Sequence, residues 1–228
     1  MSVASNDVVI DYPESDGRPM GETDWHIDWT LRLRDMLKLR YRDQKVYVGS
    51  DLLLYYHEGV PRDFVVPDGF VVLDCEPHPR RFFKTWEEQR VPNVAFEFTS
   101  ASTRRNDEVF KPRTYAEIGV AEYFIFDPHG EYLTPQLQGY RLAGDQYVRV
   151  VADARGRLMC EQLGLTLEIS ERDLLIRDAA TEEPLMTAAD AIGRKAEISE
   201  RKAAQLAERN VALEAELERL RRELKGRG

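Results

Sequence analysis

The sequence predicts an α/β or α+β sheet domain rather than a sandwich, followed by one long C-terminal helix. Three observations carry this. Short apolar runs bounded by Pro, Gly, Asn and Asp recur through the middle of the chain: KVYVGS, DLLLYYHEG, PDGFVVLD, NVAFEFTS and AEYFIFDP. Between the last two lies TRRNDEVFKPRTYAEIGV, a helix closed by Gly119. Strand, helix and strand within about 35 residues form a crossover unit. Finally, Leu206, Leu213 and Leu220 recur at heptad spacing in a tail rich in Ala, Glu, Arg and Leu.

The chain of 228 residues has room for one ordinary domain with an extension, or for two small ones. Residues 1–24 are polar and contain Pro13, Gly17, Pro19 and Gly21, which predicts an extended arm. The sheet domain is expected over 25–180. It opens with TDWHIDWTLRLRDMLKLRYRD, where Trp25, Trp29, Leu33, Met36 and Leu37 fall near helical spacing. Thr23 or Asp24 can cap that helix. The strands and the crossover helix follow, with Asp127-Pro128 ending a strand in a turn. After Pro128, LQGYRLAG, QYVRVV, GRLMCEQ and LTLEIS read as short strands, a meander at the edge of the core.

Residues 188–226 read as a coiled-coil helix. Placing the three leucines at d puts Ala203, Asn210, Leu217 and Leu224 at a. Arg209 and Glu216 then fall at g, and Glu214 and Arg221 at e. Parallel pairing sets Arg209 against Glu214 and Glu216 against Arg221, both attractive, and Asn210 at a costs stability but favours a parallel dimer. The alternative is a solvated helix whose leucines dock on its own domain.

Composition narrows the function. Hydrophobic residues make up 43% and charged residues 32%, enough for a core. The low mean hydropathy traces to the tail. No apolar run is long enough to span a membrane, and no signal peptide is visible at the N-terminus. Cys75 and Cys160 are expected to be reduced thiols in a cytoplasm. Of 32 basic and 41 acidic residues, ten and eight lie from Ala188 onward, which leaves 22 and 33 and a charge of −11 in the rest. That field argues against coating nucleic acid through overall charge, though a local basic patch remains open.

Neither GxxxxGK[ST] nor GxGxxG occurs, so nucleotide-driven chemistry has no support. His26, His57, His78 and His129 are scattered without zinc-ligand spacing and read as loop or surface residues. What remains is carboxylates on strands. Asp68 opens GFVVLD, and Glu97 sits inside VAFEFT, pointing opposite to Phe96 and Phe98. An ionised group there is expensive to bury unless paired or bound to a metal. Carboxylates from adjacent strands can hold a hard cation such as Mg²⁺, which polarises a phosphodiester, with a nearby lysine orienting water or offsetting charge. The alternative is a pair of solvent-facing carboxylates.

Taken in order, PDGFVVLD, VAFEFTSASTRRND and K-x-x-x-Y-x-x-x-GVAEYFIFDP resemble the Uma family of restriction endonucleases, within the PD-(D/E)XK nuclease superfamily. The resemblance runs from about Tyr12 to Ala188, including YPESDGRPM and LQGYRL. It implies a restriction-endonuclease-like core, a central mixed sheet flanked by helices with the site at one end. Asp68 matches the motif aspartate and Glu97 the acidic residue of the second half-motif. Where that motif expects lysine two residues on, this chain has Thr99; the family takes the lysine from the following helix, where Lys111 stands. Glu22 is similar to an early acidic residue that can join such sites. Pro112 departs from the pattern: the helix starts near Lys111 or is kinked there.

Tyr115 and Tyr123 are expected to pack rather than react, and Ser100 and Ser102 to bond backbone at the strand end. Arg80, Arg81, Lys84, Arg104 and Arg105 are candidates for phosphate contacts. The expectation is a cytoplasmic, Mg²⁺-dependent DNA endonuclease, with Mn²⁺ able to substitute, dimerised through its coil. Its rival is a non-catalytic module that binds DNA or protein on the same scaffold. The two separate on whether Lys111 reaches the carboxylates.

Overall fold

The computed structural model describes residues 10–15, 23–171 and 173–225. The chain divides into two compact units, Met1–Leu185 and Met186–Gly228. Most of the arm expected over 1–24 lies outside the described residues.

The first unit opens with helix α1 (Asp24–Arg40), capped by Thr23, whose hydroxyl accepts from the His26 amide at 3.4 Å. Its buried face is His26, Trp29, Thr30, Leu33, Met36 and Leu37, an unbroken i, i+3, i+4, i+7 stripe. Trp25, expected on that face, is 59% exposed. The buried stripe begins at His26, whose ring meets Asp68, and Trp25 falls at its exposed edge.

The strands follow as β1 (Val46–Gly49), β2 (Leu54–Tyr55), β3 (Phe64–Val65), β4 (Gly69–Leu73) and β5 (Phe83–Lys84). A single turn, α2 (Thr85–Glu88), leads to β6 (Val94–Phe98). A π-helical turn at Asn106–Phe110 runs into α3 (Lys111–Ile118), which Gly119 ends in the left-handed conformation at φ 90°. Next come β7 (Glu122–Phe126), β8 (Leu137–Ala143), β9 (Gln146–Arg149), β10 (Leu158–Cys160), β11 (Leu165–Ser170) and β12 (Asp173–Asp178).

The main sheet has the order β1-β4-β6-β7-β8-β9. All neighbours are antiparallel except β6 and β7, which are parallel and joined by α3. The sheet is therefore mixed, as expected, and the crossover unit is its centre. Every residue of β6 and β7 is buried, since both faces are covered. On one face Phe96, Phe98, Phe124 and Phe126 pack with Trp29 and Leu33 of α1. Phe96 stacks on Phe124 at 5.8 Å and Trp29 meets Phe126 edge-on at 5.4 Å. Such pairs add about 0.5–1.5 kcal/mol each beyond burial. On the other face Phe70, Ala95, Tyr123 and Ile125 pack with Tyr115 of α3 and with Leu54 and Phe83 of a small β3-β2-β5 sheet.

The expected meander divides in two. LQGYRLA and QYVR extend the main sheet as β8 and β9, whereas β10, β11 and β12 form a separate sheet. Leu165, Leu167, Leu174 and Ile176 of that sheet join the α1 side of the core. Helix and small sheet together thus cover apolar surface too wide for one helix. Cys75 and Cys160 are free and buried.

The second unit is helix α4 (Ala188–Lys225). Thr187 and Asp190 cap it reciprocally, each side chain accepting the other's amide, at 3.1 and 3.3 Å. Leu206, Leu213 and Leu217 are exposed along it. The side chains of Leu220 and Leu224 lie outside the described ones. Among the described residues no helix is long and apolar enough to cross a membrane.

Candidate active site

The sheet register brings the two strand carboxylates together. Gly69 pairs with Phe96 and Phe70 with Ala95, so one step back along β4 sets Asp68 opposite Glu97. Backbone bonds lock the pair: the Phe98 amide donates to Asp68 Oδ2 at 2.6 Å and the Asp68 amide to Glu97 Oε2 at 3.4 Å. Gly69 follows Asp68 where α1 lies close; a Cβ there would stand 2.9 Å from Leu33 Cδ2. That approach carries His26 to Asp68, Nε2 to Oδ2 at 2.9 Å.

Lys111 reaches the same point from α3. Its Nζ lies 2.6 Å from Glu97 Oε2, 3.1 Å from Asp107 Oδ1 and 4.0 Å from Asp68 Oδ1. Pro112 does not deflect it. The α-helix starts at Lys111, so the proline sits in the first turn, and the preceding π-turn absorbs the disruption, the Lys111 amide bonding the Asn106 carbonyl five residues back. Tyr115, one turn further, donates to Glu97 Oε1. The Tyr123 hydroxyl donates to the Asp107 carbonyl at 2.6 Å and fixes the π-turn on the sheet.

The result is three carboxyls around one ammonium, with Glu97 and Asp107 each 1% exposed. Burial opposes ionisation of Asp68, but Lys111, His26 and the Phe98 amide outweigh it and hold its pKa below the ordinary carboxylate value. At Glu97 burial prevails: even against Lys111, and with the charges of Asp68 and Asp107 adding to it, the pKa is driven well above that value. Burial also disfavours the Lys111 charge, yet the three carboxyls keep its pKa raised and the ammonium charged. Burial and Glu97 push the Tyr115 phenol well up, so it serves as a neutral donor.

The donor set fits a hard divalent cation in its chemistry: it offers oxygen ligands, among them the buried Asp107 carboxyl, whose oxygens make no hydrogen bond among the described residues beyond the ion pair of Oδ1 with Lys111. The oxygens do not converge as a ready-made three-ligand cage among those residues. Lys111 stands between them, and it would shift for Asp68 and Glu97 to share an ion with waters.

Three of the assembled residues are not expected at the site from the sequence. His26 is buried in helix α1 rather than on a loop or the surface, and its signal was its place on the apolar stripe. Asp107 lies four residues before Lys111 and so on the same helical face. Tyr115 packs, as expected, but also bonds Glu97. Glu22 lies outside the described residues. Ser100 and Ser102 bond each other, and Ser100 also bonds Thr103, as a local strand-end cap. The basic candidates for phosphate contact are engaged internally. Arg80 pairs with Glu88 at 2.6 Å, Lys84 with Glu87 at 2.8 Å, Arg104 with Glu108 at 2.7 Å, and Arg81 with Glu14. Arg105 lies over the Phe110 ring.

The fold is a mixed sheet flanked by helices, with Asp68, Glu97 and Lys111 gathered at one end. Residues 9–173 match the model of the Uma2 family, described as "Putative restriction endonuclease", and the chain belongs to that family. Among solved structures, one described as a putative nuclease belonging to DUF820 from Anabaena variabilis is similar, at 13% identity and a TM-score of 0.44. The match covers 64% of this chain and 86% of that one. No curated protein matches the chain.

Proposed function

We propose that the chain is a metal-dependent DNA endonuclease that hydrolyses phosphodiester bonds. The observation that carries the reading is the reach of Lys111 to the cross-strand carboxylates, 2.6 Å from Glu97. Asp68 and Glu97 would hold Mg²⁺, or Mn²⁺ in its place. Such an ion supplies Lewis-acid stabilisation to a phosphoryl oxygen. His26 and the Phe98 amide fix Asp68 in its ionised form, and the Tyr115 hydroxyl orients Glu97. Lys111, held charged, is suited to donate hydrogen bonds to the attacking water or to the phosphate oxygens in the transition state, not to accept a proton.

The test is conversion of supercoiled plasmid in Mg²⁺ and in Mn²⁺, wild type beside Glu97→Ala. Nicked or linear product from the wild type alone supports the reading, and equal cleavage by both proteins sinks it. One observation favours a non-catalytic nucleic-acid- or protein-binding module instead. The carboxyls and the lysine bury and partly neutralise one another, as a purely structural network would. No cleavage by either protein, with DNA still bound, moves the assignment there.

The second unit would join two copies. The exposed Leu206 and Leu213 with Leu217 form a seam, and the Arg209–Glu214 and Glu216–Arg221 pairs are complementary in a parallel dimer.

A further inference from the structure

Two cations on the C-terminal half of α1 are placed differently. Arg34 and Lys38 stand one helical turn apart, both exposed, and neither makes a hydrogen bond or an ion pair among the described residues. Partial burial and the charge of Arg34 hold the Lys38 ammonium below its ordinary pKa, so the two cations repel one another. Arg42 continues the row, with only an exposed contact to Asp43 at 3.2 Å.

These three side chains line a cavity of about 380 Å³ with Ser50, His78 and Arg80. Tyr47 forms its wall, and the charges of Arg34 and Arg80 both bear on its phenol. Arg80 is anchored by Glu88 and lies 4.2 Å over the Tyr47 ring, so it forms a fixed basic wall. No aspartate or glutamate is among the described residues lining the cavity, on a chain whose formal charge is −9. A concave surface with no carboxylate in its lining, where Arg34 and Lys38 carry charge that no carboxylate takes up while Arg42 and Arg80 pair with Asp43 and Glu88, is suited to receive an anion.

Its position relates it to the carboxylate site. The cavity runs along the edge strand β1, and beyond that strand the Asp51 amide bonds the Pro67 carbonyl, one residue from Asp68. Along α1, Arg34 and Lys38 are eight and twelve residues past His26, roughly 12 and 18 Å at the helical rise. At about 3.4 Å per nucleotide along a strand, that is roughly four to five nucleotides.

We propose that this cavity is a phosphate-binding site, filled by the backbone of a nucleic-acid strand some four or five nucleotides from the bond at Asp68 and Glu97. The strand as source rests on the endonuclease reading; the phosphate chemistry does not.

The test compares the full chain with its Arg34→Gln/Lys38→Gln variant, whose exposed positions leave the melting temperature unchanged. Two probes are used in EDTA: a short fluorescein-labelled DNA duplex followed by anisotropy between 50 and 200 mM KCl, and pyrophosphate followed by calorimetry. Two phosphate contacts, at a slope of about 0.9 each, make the wild type lose about 12-fold more affinity for the duplex than the variant over that fourfold change in salt. That difference supports the proposal. If the variant keeps the wild-type salt slope but loses pyrophosphate binding, the site stands and the nucleic-acid source is overturned. A wild type that binds pyrophosphate through these residues but no duplex sinks the endonuclease reading and leaves the site standing. Identical behaviour of both proteins towards both probes overturns the site itself.

Discussion

Replacing Glu97 by Gln is expected to destroy cleavage and yet raise the stability of the metal-free protein. With Oε2 of Glu97 2.6 Å from Lys111 Nζ, the gross attraction is about 6 kcal/mol at an effective dielectric of 20. Against it stand a desolvation cost of several kcal/mol for a carboxylate at 1% exposure and repulsion from Asp68 and Asp107. The Glu97 pKa lies above the ordinary carboxylate value, the direction that follows when burial and the neighbouring carboxyls outweigh the attraction. Glutamine keeps the shape and can keep the bonds: its oxygen accepts from Lys111 and the Asp68 amide, and its amide donates to Tyr115 in place of accepting from it. Lys111 retains Asp107 and Asp68 as counter-charges. Relief of about 1–3 kcal/mol is expected, by analogy with buried ion pairs replaced by neutral groups. For a unit of this size it raises Tm by roughly 2–10 °C.

The pH dependence gives the sign. A carboxyl whose folded pKa lies above its unfolded value contributes nothing adverse below about 4.5, where both states are protonated. Wild-type stability is then lost as pH rises towards the folded pKa, so the advantage of the variant grows from pH 5 to pH 8. The assay is thermal unfolding in EDTA, followed by tryptophan fluorescence, since Trp29 packs beside the site on α1. Adding Mn²⁺ should stabilise the wild type and not the variant, closing the gap. A variant less stable than wild type at pH 8 in EDTA would refute the reasoning, for it would make ionised Glu97 a net stabilising partner of Lys111.

Two further outcomes follow from the same geometry. Lys111→Met leaves the carboxyls without their ammonium, and urea unfolding in EDTA should show a loss of about 3–5 kcal/mol, part of it restored by Mn²⁺; a loss under about 1 kcal/mol would mean the lysine is not their counter-charge. Leu206→Glu with Leu213→Glu should halve the mass measured by light scattering while leaving the thermal unfolding of the first unit in place; an unchanged mass would remove the coil as the dimer contact.

Legibility in the sequence followed the cost of placing each group. Asp68 and Glu97 stood out because a charge within or beside an apolar strand is expensive, and the strands are readable as short bounded runs. The parallel β6–α3–β7 unit was readable for the same reason, its two strands being fully buried and so continuously apolar. Lys111 came through the resemblance, since nothing in its spacing alone marks it. The partners that were missed depend on helix phase. On α1 the expected Trp29, Leu33, Met36 and Leu37 are buried, and only the first position differs, His26 lying inward where the bulkier Trp25 is exposed. Asp107 was hidden by Pro112, which suggested a break at the point where the π-turn carries the helix through. The division of the C-terminal strands depended on which surface needed cover, a property of the assembled core rather than of any one segment. The basic residues make the same point: Arg80, Lys84 and Arg104 advertise themselves as a cluster, but nearby glutamates take them up, whereas Arg34 and Lys38 look like ordinary surface positions of an amphipathic helix. A charge becomes available to a ligand only when the fold supplies no partner for it, and that can be read only once α1, β1 and the segment 77–80 are brought together.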